Sequence, residues 1–183
     1  MAEYHLNTAE LPGAAAKLRA SDRVLLSGTV YTSRDAAHKR IFQLLDAGAP
    51  LPYPLAGAVI YYAGPTPAQQ GMAVGSCGPT TSGRMDPYAP RLLDLGLTAM
   101  IGKGERSAAV VDAIVRNHAV YFCAVGGAGA LIAGRIEQAE EIAFQDLGCE
   151  SVKRLTVRDL PLVVAIDSAG RNLFETGRRQ YAK

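Results

Sequence analysis

The sequence predicts an α/β fold in one domain, residues 1–183, built as a mixed sheet with flanking helices, and three observations carry that reading. Between Arg23 and Val125, short runs rich in Val, Ile, Leu and Tyr alternate with stretches of helical periodicity, the pattern that a parallel or mixed sheet requires. Glycine or proline stands between successive runs, at Gly48-Ala49-Pro50, Gly64-Pro65 and Gly96. No repeat, low-complexity tract or long linker divides the 183 residues, which suffice for one core.

Taken in order, Leu6 to Ala20 reads as a polar segment with a short helical stretch, and Arg23 to Tyr31 as a strand in which Gly28 marks a bulge. A helix follows with Asp35 as N-cap, because Ala37, Ile41, Leu44 and Leu45 share one face and Gly48-Ala49-Pro50 stops it. Ala56 to Ala63 is a strand, and Met72 to Val74 close an apolar element. Asp86-Pro87 starts a helix to Leu95, with proline in its first turn, and Thr98 to Ile101 is a strand. Ser107 to Asn117 is a helix whose Val110, Val111, Ile114 and Val115 share a face; Ala119 to Val125 is an apolar strand, and Gly126 to Gly134 turns into a helix. The acids of Glu137 to Leu147 suggest a solvated helix, Val152 to Val157 and Leu162 to Ile166 two strands, and the basic tail from Arg178 to Lys183 a frayed end.

Composition narrows the function classes. A net charge of +2 is too small to argue for nucleic acid, and no apolar run is long enough to span a bilayer. Met1 to Glu10 lacks the features of a signal peptide, so the expected location is cytoplasmic. Cys77, Cys123 and Cys149 are odd in number and widely spaced, which speaks against a disulfide framework or a zinc site.

The stretch Val74 to Asp86 is where chemistry is expected. Gly75, Gly78 and Gly83 allow close approach to a ligand, Pro79 fixes a turn, and Ser76, Thr80, Thr81 and Ser82 put four hydroxyls on a short arc before the guanidinium of Arg84. A surface turn is the bland alternative. Arg34 lies at a strand-to-helix junction, where α/β proteins present ligand-binding side chains, although by spacing alone it equally reads as a solvated loop arginine. His38, on the first turn of the same helix, reads as a half-buried packing residue, and Lys103 ends another strand. Neither Gly127 to Gly134 nor Gly102-Lys103 completes a dinucleotide or phosphate-loop fingerprint, so tight backbone packing explains both better. Together Arg34, Thr80, Thr81, Arg84 and Lys103 form an anion site without an evident catalyst, hence either a binding lobe or a half-site completed by another chain.

Four strings resemble one family: Gly-Pro-Thr-Thr-Ser-Gly-Arg-Met-Asp from Gly78, Ser-Arg-Asp-Ala-Ala-His from Ser33, Ile-Tyr-Tyr-Ala-Gly-Pro from Ile60 and Gly-Lys-Gly-Glu-Arg-Ser from Gly102. They look like the β subunit, or equivalent C-terminal domain, of the iron-sulfur hydro-lyases, class I fumarase and L(+)-tartrate dehydratase. The resemblance continues to Asp167-Ser168-Ala169-Gly170 and implies a swivelling β/β/α domain. It also implies an α subunit that carries a 4Fe-4S cluster on its own cysteines, a hetero-oligomer such as α2β2, and a small dicarboxylate as substrate.

Carried over by position, the resemblance makes Arg34, Arg84 and Lys103 the carboxylate clamp, Thr81 a hydrogen-bonding neighbour and Thr80 the base, with His38 and Asp86 beside the site. The Gly83-Arg84-Met85-Asp86 string and the Lys-Gly-x-Arg-Ser pattern look more like fumarase, while Glu105 stands where fumarase-like sequences often have Asn. Tartrate dehydratase or mesaconate hydratase is the alternative within the class. A phosphate- or nucleotide-binding module without catalysis is the alternative outside it.

Overall fold

The computed structural model describes residues 1–181. Seven strands, β1 (Glu3–Asn7), β2 (Arg23–Thr32), β3 (Val59–Tyr61), β4 (Ala99–Gly102), β5 (Val120–Cys123), β6 (Ile136–Ala143) and β7 (Val152–Ile166), form one mixed sheet in the order β1-β2-β3-β4-β5-β7-β6. The first five pair in parallel and β7 is antiparallel to its neighbours; because β7 also pairs with β2, the sheet closes on itself through β2, β3, β4, β5 and β7. Helices α1 (Leu11–Ala14), α2 (Asp35–Asp46), α3 (Ala89–Asp94), α4 (Ala108–Arg116), α5 (Gly129–Ala133) and α6 (Leu173–Tyr181) complete the set, a β/β/α arrangement.

Period-two alternation divides the interior into two cores. Val59, Tyr61, Ile101 and Phe122 face one core with Val24, Leu26, Val30, Leu155, Leu160 and Val164 of β2 and β7. Ile60, Met100 and Tyr121 face the other, where α2, α3 and α4 pack through Ile41, Leu92, Leu93, Val110 and Ile114. Strands buried on both faces read as continuous apolar runs, which is why β3, β4 and β5 are so evident in the sequence.

Several elements differ from expectation. The N-terminal segment contains β1, whose alternation is too polar to stand out because only Tyr4 and Leu6 turn to the core. Glu137 to Leu147 is not a helix: it is β6 followed by a 3₁₀ stretch, Gln145–Glu150, and its acids form a ladder with β7, Glu137 with Arg158, Glu140 with Arg154 and Glu141 with Lys153. The two C-terminal strands are one, because Arg158 and Asp159 together oppose Ser27 as a bulge, with Asp159 at φ 48° and its N–H donating to the Ser27 hydroxyl. Gly28 lies at that bulge as expected, at φ 112°, where a Cβ would stand 2.4 Å from the Thr8 hydroxyl.

Smaller corrections concern helix starts. Arg34, not Asp35, is the N-cap of α2; Asp35 is its first residue. Asp86-Pro87 lies in a turn after a 3₁₀ segment, Ser82–Met85, and α3 begins at Ala89 with Pro90 in its first turn. Met72 to Val74 end no regular element, and of that stretch Val74 packs on the core while Met72 is exposed. The basic tail is helical through Tyr181, held by an ion pair from Arg178 to Glu105; Ala182 and Lys183 lie outside the described residues.

Candidate functional site

The parallel strands β2, β3, β4 and β5 end at one edge, and the predicted residues follow those ends: Arg34 after β2, Lys103 after β4, with the Val74–Asp86 loop docked between. Crevices outside the carboxyl ends of parallel strands are where open α/β sheets take ligands. The loop is stitched to this edge by its backbone. Thr80 N–H donates to the Tyr62 carbonyl at 2.7 Å, Thr81 bridges to Lys103, and Ser82 N–H donates to the Lys103 carbonyl at 2.9 Å. The buried Ser82 hydroxyl accepts from Lys103 N–H at 3.0 Å and lies 2.9 Å from the Tyr121 hydroxyl, which donates to the Gly104 carbonyl at 2.9 Å.

Two glycines make the fit possible. A Cβ at Gly102 would lie 1.9 Å from the Ser82 hydroxyl and 2.9 Å from the Tyr62 ring, and one at Gly129 would lie 2.4 Å from the Ser76 hydroxyl. Gly102→Ala is therefore expected to destabilise the protein by about 1–3 kcal/mol. Urea unfolding checks this; an unchanged midpoint would mean that Ser82 swings aside without cost.

Arg84 is the centre of the exposed cluster. Its Nη2 donates to the Thr80 hydroxyl at 2.6 Å and lies 3.1 Å from the Asp35 carboxylate. Arg34 lies 3.9 Å from the same Asp35 oxygen and 3.2 Å from Glu150. Lys103 runs its stem past Gly126, where a Cβ would meet its Cδ at 3.6 Å. The structure thus gathers Arg34, Thr80 and Arg84 around Asp35, with Thr81 and Lys103 on the adjoining bridge. Thr81, Arg84 and Lys103 are open to solvent, and the cavity of about 420 Å³ lined by Thr66, Glu141, Cys149 and Lys153 includes none of them.

Asp86 and His38 are less exposed than this cluster. Asp86 accepts from Arg106 Nε at 2.7 Å and from Ser107 N–H at 2.6 Å, so it ties the loop to the segment bearing Lys103. The side chain of Arg106 is 0% exposed and lies between the rings of Tyr62 and Tyr121, 5.3 and 4.9 Å from their centroids. Burial works against its charge, and Tyr62, Asp86 and Tyr121 outweigh that cost, leaving its pKa raised.

His38 is fully buried rather than half-buried, because the rings of Tyr62 and Tyr88 cover it. Its Nδ1 lies 2.9 Å from both the Arg34 carbonyl and the Ser33 hydroxyl; since a carbonyl only accepts, Nδ1 carries the proton, and Nε2 is buried with no partner among the described residues. Burial pushes its pKa from 6.5 down to about 4, with Arg106 acting in the same sense and the Arg34 carbonyl and Asp35 opposing. The depressed folded-state pKa means that the unfolded chain binds the proton first as pH falls. Stability is complete above about pH 6.5 and is lost toward pH 4, by up to about 3 kcal/mol. Denaturant unfolding across that range would show a slope that His38→Phe flattens.

Sequence reasoning missed Asp35 as a shared ion-pair partner, Glu150, and Arg106. The Arg34-Asp35 adjacency is a local signal for the first and the Lys-Gly-x-Arg-Ser pattern contains the third, Arg106, without revealing its role, while Glu150 gives none. Among the described residues no group of three or more His, Cys, Asp or Glu side chains could hold a metal ion. Cys77 is buried with its thiol pushed up to about 12, Cys123 is half-buried and also raised, and Cys149 is exposed, so the first two are not the ready thiolates that an iron-sulfur cluster takes as ligands. No described helix is long and apolar enough to cross a membrane.

The chain is similar in sequence to several known proteins. Fumarate hydratase 2 of Leishmania major is 39% identical over 154 residues, covering 83% of this chain and 27% of that protein. The aerobic class I fumarate hydratase of Escherichia coli (strain K12) is 38% identical over 157 residues, 85% of this chain and 29% of that one. The putative L(+)-tartrate dehydratase subunit beta of Methanocaldococcus jannaschii is 35% identical over 174 residues, 91% of this chain and 89% of its own length. The chain thus spans less than a third of the fumarate hydratases and most of the tartrate dehydratase subunit. A family described as Fumarase C-terminus matches residues 1–177, and the chain belongs to that family.

Proposed function

We propose that this chain, read as one domain, is the β subunit of a cytoplasmic 4Fe-4S-dependent hydro-lyase, a class I fumarate hydratase interconverting fumarate and (S)-malate. One observation carries the reading: at the carboxyl edge of the parallel strands, a guanidinium, that of Arg84, reaches both a threonine hydroxyl and the carboxylate shared with a second arginine. In this reading Arg84, Arg34 and Lys103 hold the two carboxylates of the substrate, and Thr81 adds a hydrogen bond. Thr80 Oγ1 takes the C3 proton of malate and returns it in hydration. A free hydroxyl is a poor base at neutral pH, and donation from a cation into Oγ1 favours the alkoxide and leaves the hydroxyl proton directed elsewhere.

The cluster, when bound, supplies a Lewis acid for the leaving hydroxyl. It is assigned here to an α subunit, as the openness of Thr81, Arg84 and Lys103 suits a site closed by another chain, in an assembly such as α2β2. Replacing Cys77, Cys123 and Cys149 singly by serine is expected to leave the iron and sulfide content of that assembly unchanged; loss of cluster with any one would move a ligand onto this chain. L(+)-tartrate remains a second substrate reading, favoured by the match along most of the tartrate dehydratase subunit.

The test is anaerobic loss of fumarate absorbance by this chain alone and with its candidate α subunit loaded with iron and sulfide. Activity in the mixture alone supports the proposal, and comparison with tartrate and mesaconate then ranks the substrates. No turnover of any of the three by a stable, cluster-loaded complex refutes it, and binding of nucleotide or phosphate by the lone chain would then favour the non-catalytic module.

A further inference from the structure

We infer that Glu150 is a positioning residue: supplied from the 3₁₀ stretch between β6 and β7, it caps helix α2 and fixes the guanidinium of Arg34. What Arg34 does with a carboxylate rests on the hydro-lyase reading; what Glu150 does to Arg34 rests on geometry.

Helix α2 begins without a side-chain cap of its own, since its N-cap is Arg34, whose side chain has no acceptor. Ala36 N–H instead donates to Glu150 Oε2 at 3.0 Å across 114 residues of sequence. The other oxygen of the same carboxylate lies 3.2 Å from Arg34 Nη2. One anion thus meets both the positive end of the helix and the guanidinium beside it.

The rest of the arginine lies in a slot. Gly64 forms one wall, where a Cβ would stand 3.0 Å from Arg34 Nη1 and 3.1 Å from the Cys149 carbonyl, so the space between β3 and the Cys149-Glu150 backbone is fitted to this side chain. The 3₁₀ stretch that carries Glu150 is attached to α2 at a second point, Arg40 with Asp146, and left-handed Phe144 (φ 56°) and Gly148 (φ 59°) shape its path. An arginine held in advance loses less rotamer freedom on meeting a ligand, and the gain is greatest where geometry must be exact for reaction.

The experiment compares Glu150→Ala, Glu150→Gln and Asp146→Ala in the assembly with the α subunit. Glu150→Ala is expected to raise KM for fumarate about tenfold or more, with a smaller change in kcat, and Glu150→Gln, which keeps an acceptor but no charge, to fall between it and wild type. Asp146→Ala removes the other anchor of the same stretch and is expected to leave KM within about twofold. An unchanged KM in Glu150→Ala overturns the inference, and an equal rise in Asp146→Ala overturns it too, by reducing the effect to docking of the stretch. Amide exchange at Ala36 in the full chain gives a readout independent of turnover. Faster exchange in Glu150→Ala but not in Asp146→Ala supports the cap, and unchanged exchange overturns it. Should the wild-type assembly turn over none of the three acids, the proposed function falls while the exchange result still decides the cap.

Discussion

Asp86→Ala is expected to destabilise the protein by about 3–5 kcal/mol, the largest stability effect of any single substitution at the site. The reason is the charge left behind. Arg106 is fully buried, and Asp86 supplies the carboxylate on its Nε at 2.7 Å; its other contacts are the Met100 sulfur at 3.4 Å, the Tyr62 hydroxyl at 3.5 Å and two aromatic rings. Those groups soften the loss without replacing the anion. The Ser107 N–H, which Asp86 accepts at 2.6 Å, also loses its partner, so the Lys103–Ser107 segment loosens at the same time. Replacing Asp86 and Arg106 together by apolar residues of similar volume should recover much of the stability, because the cost lies in the unpaired charge rather than in the missing bond. Urea unfolding of the single and double variants checks this. A loss below about 1 kcal/mol in Asp86→Ala would mean that water reaches Arg106 and that the site is less closed than its burial indicates.

How much of this was legible in the sequence depends on whether the cause is local. Strands β3, β4 and β5 and helices α2 and α4 were plain because burial on both faces, or on one stripe, leaves a periodic trace. The placement of Arg34 and Lys103 was legible as well, since both follow strands of a parallel sheet, whose carboxyl ends converge on one edge. Strand β6 was not. Its acids match those of a solvated helix, and only the opposing Lys153, Arg154 and Arg158 on β7 reveal the ladder. The interruption that made β7 look like two strands is a bulge, whose identity depends on what lies across from Asp159. Asp35, Glu150 and Arg106 were missed for the same reason. Their partners are set by contacts between distant segments or, for Asp35, by the bend of the loop that brings Arg84 back to it, and no spacing rule encodes either. His38 reads as half-buried from its place on the α2 wheel, whereas Tyr62 and Tyr88, from two other segments, cover it.

Arg84→Ala should leave stability almost untouched and remove most activity. The side chain is 47% exposed in this chain and its ion pair with Asp35 is of the solvated kind that contributes at most about 1 kcal/mol, so the unfolding midpoint should hardly move. Catalysis is another matter. In the proposed reaction Arg84 binds a substrate carboxylate, which a closing partner would remove from water, and it also donates to the hydroxyl that takes the proton. Loss of the first role raises KM and loss of the second lowers kcat, together costing on the order of 2–5 kcal/mol in kcat/KM. Lysine in its place should recover little, since an ammonium is a single point charge and cannot span Thr80 and a carboxylate as a planar fork does. Steady-state kinetics of the assembled enzyme, read beside the unfolding midpoints, separate these effects from those of Asp86→Ala, for which stability should fall first. Unchanged kcat and KM in Arg84→Ala would remove this arginine from the site, and with it the hydrogen bond on which the threonine base depends.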